Sequence, residues 1–282
     1  KSLMSVIHIL AAIRPEAADR YTAHFSEHQQ FQTRVVTSQE DTRTILSDSD
    51  QRIEVLVLDN DLGGAFDLVR ELRQTHPRLL IVLVDETADF GLPGRADDVS
   101  TDPFTNNDLV RRIQRLLQER QTETLRADSF PPVREVAQKL RQASGAMGKV
   151  EAAVQAIQDQ GYDFVAYYRL EGDASPLVLS AAAGPPAIIS VAPDQQLSDT
   201  LVGWVAQNGR SRIVGPADEP NYSLVKRGRL GAGACVPVGR ATRFGVLLAC
   251  REVPGSIAQA NVLVLELVSN QLAAALAKES TV

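Results

Sequence analysis

The sequence contains few of the residues that build disulfide-rich, haem-binding or membrane-spanning proteins. Its 282 residues include two cysteines and one tryptophan, and only 5% of them are aromatic. Two cysteines in a chain of this length make no disulfide framework, which is typical of the reducing cytoplasm. No apolar run approaches the length needed to cross a bilayer, and the opening residues are typical of a strand rather than a signal peptide. We therefore expect a cytoplasmic protein that does not enter the membrane.

Histidine and excess positive charge are also scarce. All four histidines (His8, His24, His28 and His76) lie in the first half, so a metal or haem site in the second half would lack imidazole ligands. Residues 1–125 hold 14 Lys and Arg against 21 Asp and Glu, whereas residues 126–282 hold 15 against 14. Neither half has the basic balance of a nucleic-acid binder. The shift in charge predicts a domain boundary near residue 125.

Apolar runs alternate with amphipathic stretches over residues 1–121. The run Leu79–Val84 is apolar throughout, which is typical of a parallel strand that is covered on both faces. The alternation of five strands with helices predicts an α/β doubly wound parallel five-stranded sheet, with its functional crevice at the carboxyl ends of the strands. The predicted strands are Val6–Leu10, Phe31–Thr37, Ile53–Asp59, Leu79–Val84 and Val99–Thr101. The predicted helices are Glu16–Gln30, Asp41–Asp48, Phe66–Thr75 and Asn106–Gln121.

Three segments of this half carry a family resemblance. The strand Ile53–Asp59 ends in an acid, Gly63–Gly64 follows it, and Ala96–Phe104 places a proline after the last short strand. Over roughly residues 4–121 this order resembles the receiver domain of response regulators. The resemblance implies a flavodoxin-like fold and makes Asp59 the candidate phosphoacceptor.

The departures from the receiver pattern are as informative as the match. The resemblance implies an acidic pair after the first strand to hold Mg²⁺, but Ile9–Ile13 offers no carboxylate. It implies a hydroxyl residue at the end of the fourth strand, where Val84 stands. It also implies a lysine before the proline, where Asp102 inverts the charge. These departures indicate a degenerate pseudo-receiver domain.

The acids around Asp59 leave two interpretations open. Phosphoryl transfer requires cations that neutralise the phosphoryl oxygens, and we expect a crevice that instead collects Asp59, Asp61, Asp85 and Asp102. Like charges in such a crevice would repel a phosphoryl donor. Asp59 is then a relic or an acid that caps a turn. The alternative is that Asp59, Asp61 and Asp85 bind a divalent cation by another route.

A polar segment ending in Pro131–Pro132 predicts a linker over residues 122–133. A helix is expected from Val133, and a second helix over Met147–Gln160 has apolar residues spaced for burial. These helices either cover their own domain or pair with the same helices of a second chain. The apolar stripe alone does not decide between the two.

The second half predicts an α+β domain with an antiparallel sheet. An evident hairpin joins Gly233–Val238 to Arg243–Cys250, and a long apolar helix is expected over Asn261–Leu276. Strands are also expected at Tyr162–Leu170, Leu177–Ala183 and 212–215, with a helix over Leu197–Asn208. The words Leu201–Val214, Cys235–Val238 and Phe244–Ala249 resemble a GAF domain, and we assign residues 134–282 to a GAF-like domain with flanking helices. The resemblance implies a six-stranded sheet, a small-molecule pocket on one face and dimerisation through the flanking helices.

Candidate ligand contacts in this domain are Trp204, Tyr222 and the cations Lys226, Arg227 and Arg229. The loop from Pro216 to Leu230 could close its cations over an anionic ligand, although such a charge run more often serves solubility. Trp204 is more simply a residue that packs a helix on the sheet.

Cys235 and Cys250 lie in predicted core strands, where free cysteine is often simply buried. Two strand cysteines do not suit the reductase variant of the family, which needs reactive thiols in mobile loops. A redox link between them depends on a strand register that the sequence does not supply.

No triad, metal-ligand cluster or phosphate loop indicates an enzyme, and no catalytic residue, metal or cofactor is expected. The sequence favours a cytoplasmic signal-transduction protein in which the receiver-like domain binds protein and the GAF-like domain senses a small molecule or dimerises. The expected partners are a second copy of the chain, a sensor kinase or output protein and an unidentified small molecule, without nucleic acid or membrane. The alternative is a phosphorylation-dependent response regulator that uses Asp59.

Overall fold

Two sheets organise the chain, one parallel and one antiparallel. The computed structural model describes residues 6–48, 51–87, 95–127, 131–172 and 176–280. The chain divides into an N-terminal unit of Lys1–Arg73 with Arg78–Thr122, and a C-terminal unit of Gln74–Pro77 with Glu123–Val282.

The N-terminal unit contains the predicted five-stranded parallel sheet, in the order β2-β1-β3-β4-β5. Its strands are β1 (Ile7–Ala12), β2 (Phe31–Val36), β3 (Val55–Asp59), β4 (Leu80–Val84) and β5 (Asp98–Ser100). Its helices are α1 (Ala18–Ser26), α2 (Gln39–Ser47), α3 (Ala65–Thr75) and α4 (Asp108–Ala127). The fold class predicted from the apolar runs is therefore confirmed.

Helices cover both faces of this sheet. Apolar residues of α1 and α4 pack on one face, and those of α2 and α3 pack on the other. Every residue of β3 and β4 is buried, which explains why these strands are continuous apolar runs instead of alternating ones. Because all strands are parallel, their carboxyl ends meet at one edge, and Asp59 lies there at the end of β3.

The C-terminal unit contains a six-stranded antiparallel sheet, in the order β8-β7-β6-β11-β10-β9. Its strands are β6 (Phe164–Arg169), β7 (Leu177–Ala183), β8 (Gln195–Gln196), β9 (Arg212–Val214), β10 (Ala232–Val238) and β11 (Gly245–Arg251). Its helices are α5 (Pro131–Gln142), α6 (Gly145–Gln158), α7 (Pro186–Ile189), α8 (Leu201–Asn208), α9 (Ser223–Lys226) and α10 (Gln259–Glu279). The sequence did not predict β8, α7 or α9, because each is too short to show a periodicity.

Three helices cover one face of the antiparallel sheet. The apolar stripes of α5, α6 and α10 share one core with the sheet, including Val136, Val154 and Leu272. These stripes therefore cover their own domain, the simpler of the two readings of the flanking helices. Pairing with a second chain stays a prediction.

Helix α10 corrects the expectation that no segment is apolar and long enough to cross a membrane. Its 21 residues have a mean hydropathy of 1.4, which meets that requirement by length and composition. Its Val262, Val268 and Leu272 are completely buried in the sheet core. A core helix of a soluble domain has the same composition, so the hydropathy alone is weak evidence for a span.

The predicted linker over residues 122–133 is mostly helical where it is described. Helix α4 continues to Ala127 and α5 begins at Pro131, while residues 128–130 lie outside the described residues. A proline cannot continue a preceding helix, but it is favoured in the first turn of a new one. The diproline therefore opens α5 two residues before the predicted start at Val133.

Candidate functional site

An arginine lies at the carboxyl edge of the parallel sheet, where the sequence predicted only acids. Arg14 follows β1 by two residues, and its Nη1 lies 3.3 Å from Oδ1 of Asp59. Its backbone amide also donates to Asp59 Oδ2, at 3.3 Å. Asp59 is 1% exposed, so Arg14 neutralises a carboxylate that water barely reaches. A buried charge of this kind is stable only when it is paired and hydrogen-bonded.

The same guanidinium binds two more carboxylates. Arg14 Nη1 donates to Asp61 Oδ2, and Nη2 donates to Glu86 Oε1 at 3.1 Å. Burial disfavours the charged guanidinium, but Asp59, Glu86 and Asp61 outweigh that effect and raise the pKa of Arg14. We call Arg14, Asp59, Asp61 and Glu86 the arginine clasp.

Asp59 also caps the short turn that follows β3. Its Oδ1 accepts a hydrogen bond from the Asp61 amide at 3.0 Å, at the start of the 3-10 turn Asn60–Leu62. A carboxylate that accepts backbone hydrogen bonds at this position satisfies donors that the turn leaves free. Asp59 thus acts as a capping acid and as the partner of Arg14.

The other acids of the predicted crevice have separate roles. Asp85 Oδ2 accepts from the Asn60 side chain at 3.1 Å, and Asp85 Oδ1 accepts from the Thr87 amide at 3.2 Å. Asp102 is exposed, and the contacts of the clasp among the described residues do not include it. The expected cluster of four repelling acids is replaced by a cluster in which one cation holds three acids.

This arrangement bears on the alternative of a metal site. Within residues 6–280, as far as they are described, no group of three or more His, Cys, Asp or Glu side chains could hold a metal ion. Asp59, Asp61 and Asp85 therefore do not form the divalent-cation site considered from the sequence. Two of them bind the guanidinium instead.

A small cavity lies in the C-terminal unit, on the face of the sheet opposite α10. Its volume is about 30 Å³, close to the space that one water molecule takes in the liquid. Five aliphatic side chains, Gly215 and Cys235 line it, together with four polar side chains: Gln196, Thr200, Glu219 and Tyr222. In this state the cavity is far smaller than the roughly 300–1,000 Å³ of drug-sized ligand pockets.

Hydrogen bonds hold the wall of this cavity together. Gln196 Nε2 donates to the hydroxyl of Tyr222, and Glu219 Oε1 accepts from the Leu201 amide at 3.2 Å, at the start of α8. The neighbouring Tyr168 hydroxyl donates to the Pro193 carbonyl at 3.0 Å. Burial, followed by the nearby Tyr168, raises the pKa of Tyr222, so its hydroxyl stays protonated at physiological pH.

The structure separates the five predicted ligand residues. Tyr222 lines the cavity, whereas Lys226, Arg227 and Arg229 are exposed and are not part of its lining. Trp204 is half-buried against the core of this face and is also not part of the lining. The guanidinium carbon of Arg212 lies 5.2 Å from the centre of the Trp204 ring, which gives the tryptophan a packing and cation–π role.

The strand register settles where the two cysteines lie. Cys235 of β10 pairs with Leu248, and Cys250 of β11 pairs with Gly233. The thiols are therefore diagonal neighbours on one face of the hairpin, and a diagonal pair is wider than a disulfide tolerates. Both are free and buried, and burial raises the pKa of Cys235 to about 12. The pKa of Cys250 is also raised by burial, with Cys235 adding to the effect.

This burial predicts that neither thiol reacts in the folded chain. We expect iodoacetamide at pH about 8 to alkylate both cysteines at least about tenfold more slowly in native protein than in urea, because the thiolate is the nucleophile. Intact mass spectrometry over time checks this. A thiol that reacts as fast in the native chain as in urea contradicts the buried placement.

The sequence reasoning missed Arg14, Gln196, Thr200 and Glu219. Arg14 had a signal, because it follows the first strand within the segment where the receiver pattern requires its acidic pair. Thr200 also had one, as a threonine before a helix is a preferred N-cap, and its Oγ1 accepts from the Gly203 amide at 3.0 Å. No pattern in the sequence indicated a role for Gln196 or Glu219.

Comparison with known proteins identifies the C-terminal unit. Residues 150–277 match the family model described as GAF domain. A comparison with curated proteins gives no match.

Several solved structures are similar to about half of the chain. The GAF domain of an Acinetobacter phosphoenolpyruvate-protein phosphotransferase is 20% identical, with a TM-score of 0.45, over 54% of this chain and 93% of that chain. A free methionine-R-sulfoxide reductase from Neisseria meningitidis is 16% identical, with a TM-score of 0.47, over 53% and 88% of the two chains. A protein described as a GAF sensor from Burkholderia vietnamiensis is 12% identical, with a TM-score of 0.47, over 56% and 99%.

Proposed function

We propose that this chain, in which residues 150–277 form a GAF domain, is a non-enzymatic signal-transduction protein with a degenerate receiver domain at its N-terminus. The observation that carries the proposal is the arginine clasp. A phosphorylatable crevice needs a free carboxylate and a divalent cation, whereas here Arg14 pairs with the carboxylate of Asp59 and supplies the only kind of positive charge that the clasp contains.

Three features support the receiver assignment. The strand order β2-β1-β3-β4-β5 is that of flavodoxin-like folds, whose ligands bind at the carboxyl edge of the sheet. Asp59 ends the central strand β3 at that edge. Asp59 is also buried beneath a cation, so an incoming phosphoryl donor would have to displace Arg14 from three carboxylates.

The clasp suggests how such a domain works without phosphorylation. A receiver signals by gaining charge at its aspartate, whereas here a fixed positive charge already neutralises that aspartate. We infer that the N-terminal unit stays in one conformation and serves as a constant protein-interaction surface. Its partner is a sensor kinase or an output protein.

The GAF domain supplies the variable input or the dimer platform. The cavity beside Tyr222 is the place for a small molecule, and ligand entry requires the Gln196–Tyr222 wall to open. The two buried thiols with raised pKa values argue against sulfur chemistry in this domain. We place the protein in the cytoplasm, as a homodimer through the helices that flank the GAF domain.

The test is direct labelling of Asp59. The chain is incubated with Mg²⁺ and acetyl phosphate, or with beryllofluoride, and its intact mass is measured beside a receiver domain that is known to react. We expect no adduct, because the clasp blocks both the metal and the donor. A stoichiometric adduct that disappears in Asp59→Ala and persists in Asp67→Ala overturns the proposal and makes phosphorylation the input.

A further inference from the structure

A pair of histidines lies at the end of α1, and neither of them belongs to the arginine clasp. His24 lies in the last turn of α1, and His28 follows the C-cap residue Glu27, where its backbone amide donates to the Phe25 carbonyl at 3.0 Å. Their ring centres are 5.6 Å apart, and their ring planes cross at 75°. The His24 ring also meets the edge of Phe104 at 5.2 Å, and the His28 ring lies 6.1 Å from that of Phe31.

Each histidine has a ring nitrogen that the fold leaves unsatisfied. The Nε2 atoms of His24 and His28 are both buried, and neither has a hydrogen-bond partner among the described residues. A buried polar atom without a partner costs about 1–3 kcal/mol, so two such atoms on neighbouring rings require an explanation. A water molecule or an ion that contacts both nitrogens would satisfy them together.

We propose that His24 and His28 bind one divalent transition-metal ion of the Zn²⁺, Ni²⁺ or Cu²⁺ class through their ring nitrogens. Imidazole is a preferred ligand of these metals, and here two imidazoles with unsatisfied ring nitrogens have ring centres 5.6 Å apart. Hard cations such as Mg²⁺ and Ca²⁺ prefer oxygen ligands and do not suit this pair. Water molecules complete the coordination. The site is independent of the function proposed above.

The environment of His24 favours its neutral form. Burial lowers the pKa of His24, and the neighbouring His28 lowers it further, while Glu27 acts in the opposite direction and Arg20 reinforces the shift. Neutral imidazole is the form that binds metal, so the shift at His24 favours binding there. The Arg20 guanidinium lies 3.8 Å from the centre of the Phe104 ring and 3.8 Å from Glu86.

The experiment uses the full chain without a histidine tag, freed of metal with a chelator. Calorimetric titration with ZnCl₂ and with NiCl₂ at pH about 7.5 should show one ion per chain. We expect His24→Gln and His28→Gln each to weaken binding by about tenfold or more, and His8→Gln to leave it unchanged.

A second measurement needs no substitution and so does not depend on the variants folding. Substoichiometric CuCl₂ should broaden the imidazole NMR signals of His24 and His28 in the unsubstituted chain and leave the signal of His8 sharp. The proposal is overturned if no ion binds, if His8→Gln weakens binding as much as His24→Gln, or if the His8 signal broadens first. A bridging water is then the partner of the two nitrogens.

Discussion

Replacing Arg14 with methionine is expected to destabilise the N-terminal unit by about 2–3 kcal/mol. Methionine keeps the apolar stem of the side chain and removes the charge, so that buried Asp59 loses its counter-ion. Breaking a fully buried pair costs about 3–5 kcal/mol, and the Arg14 side chain is 21% exposed, which reduces the effect. Asp61 and Glu86 lose the same partner but face water and contribute less.

The measurement separates the two units. The chain has one tryptophan, Trp204, and it lies in the C-terminal unit. Urea unfolding followed by far-UV circular dichroism should show an earlier transition in Arg14→Met, while Trp204 fluorescence should keep its midpoint. Arg70→Met is the matched control, because Arg70 is exposed and, in the part of the chain that the structure describes, pairs only with exposed Asp67, so a change within about 0.5 kcal/mol is expected. Equal effects of the two substitutions contradict the role of the clasp.

The second large effect is expected at Gly203, at the start of α8. A Cβ at this position would lie 2.1 Å from the Leu197 carbonyl oxygen and 2.8 Å from the Ser198 Cα, and backbone atoms cannot move away cheaply. Gly203→Ala should therefore destabilise the GAF domain by about 3 kcal/mol, at the upper end of overpacking effects. It should also shift the segment from Gln196 to Thr200, and both of these residues line the cavity.

Trp204 is adjacent to Gly203, so its fluorescence reports the unfolding of this domain directly. The control is Gly148→Ala in α6, where a Cβ meets nothing within 4 Å. Alanine is favoured over glycine in a helix, so this control should stabilise the domain by up to about 1 kcal/mol. A neutral or stabilising Gly203→Ala would contradict the close approach of α8 to the Leu197–Ser198 backbone.

The architecture of both units could be predicted from the sequence, because the spacing of apolar residues reflects which side chains are buried. The runs that became β3 and β4 are apolar throughout since helices cover both faces of the sheet. The hairpin β10–β11 was evident from two strand-like runs around a turn. The single-turn helices α7 and α9 were not evident from the sequence, because four residues do not show a helical period.

The candidate sites were less predictable, because they depend on contacts between residues far apart in the sequence. The acids of the N-terminal crevice were visible, but Arg14 reaches Asp59 across 45 positions and Glu86 across 72. The cavity depends in the same way on Gln196 and Tyr222, which are 26 positions apart. Local pattern indicates which residues are buried, and it does not indicate which polar groups meet.

Exposure explains why three of the predicted ligand residues do not line the cavity. Lys226, Arg227 and Arg229 lie at and just after the end of α9 and project into solvent. This exposure keeps the three cations hydrated. Burial beside an apolar cavity would remove that hydration. Tyr222 can line the cavity because it has an apolar ring, and Gln196 satisfies its hydroxyl.

The most direct test of the central claim is a double-mutant cycle between Arg14 and Asp59. The unfolding free energy of the N-terminal unit is measured by urea titration for the unsubstituted chain, Arg14→Met, Asp59→Asn and the double variant. If Arg14 is the internal counter-ion of Asp59, the double variant is more stable than the two single effects predict, with a coupling energy of about 2 kcal/mol. A coupling energy within about 0.5 kcal/mol of zero means that the two charges do not depend on each other, which contradicts the clasp and the degenerate-receiver assignment built on it.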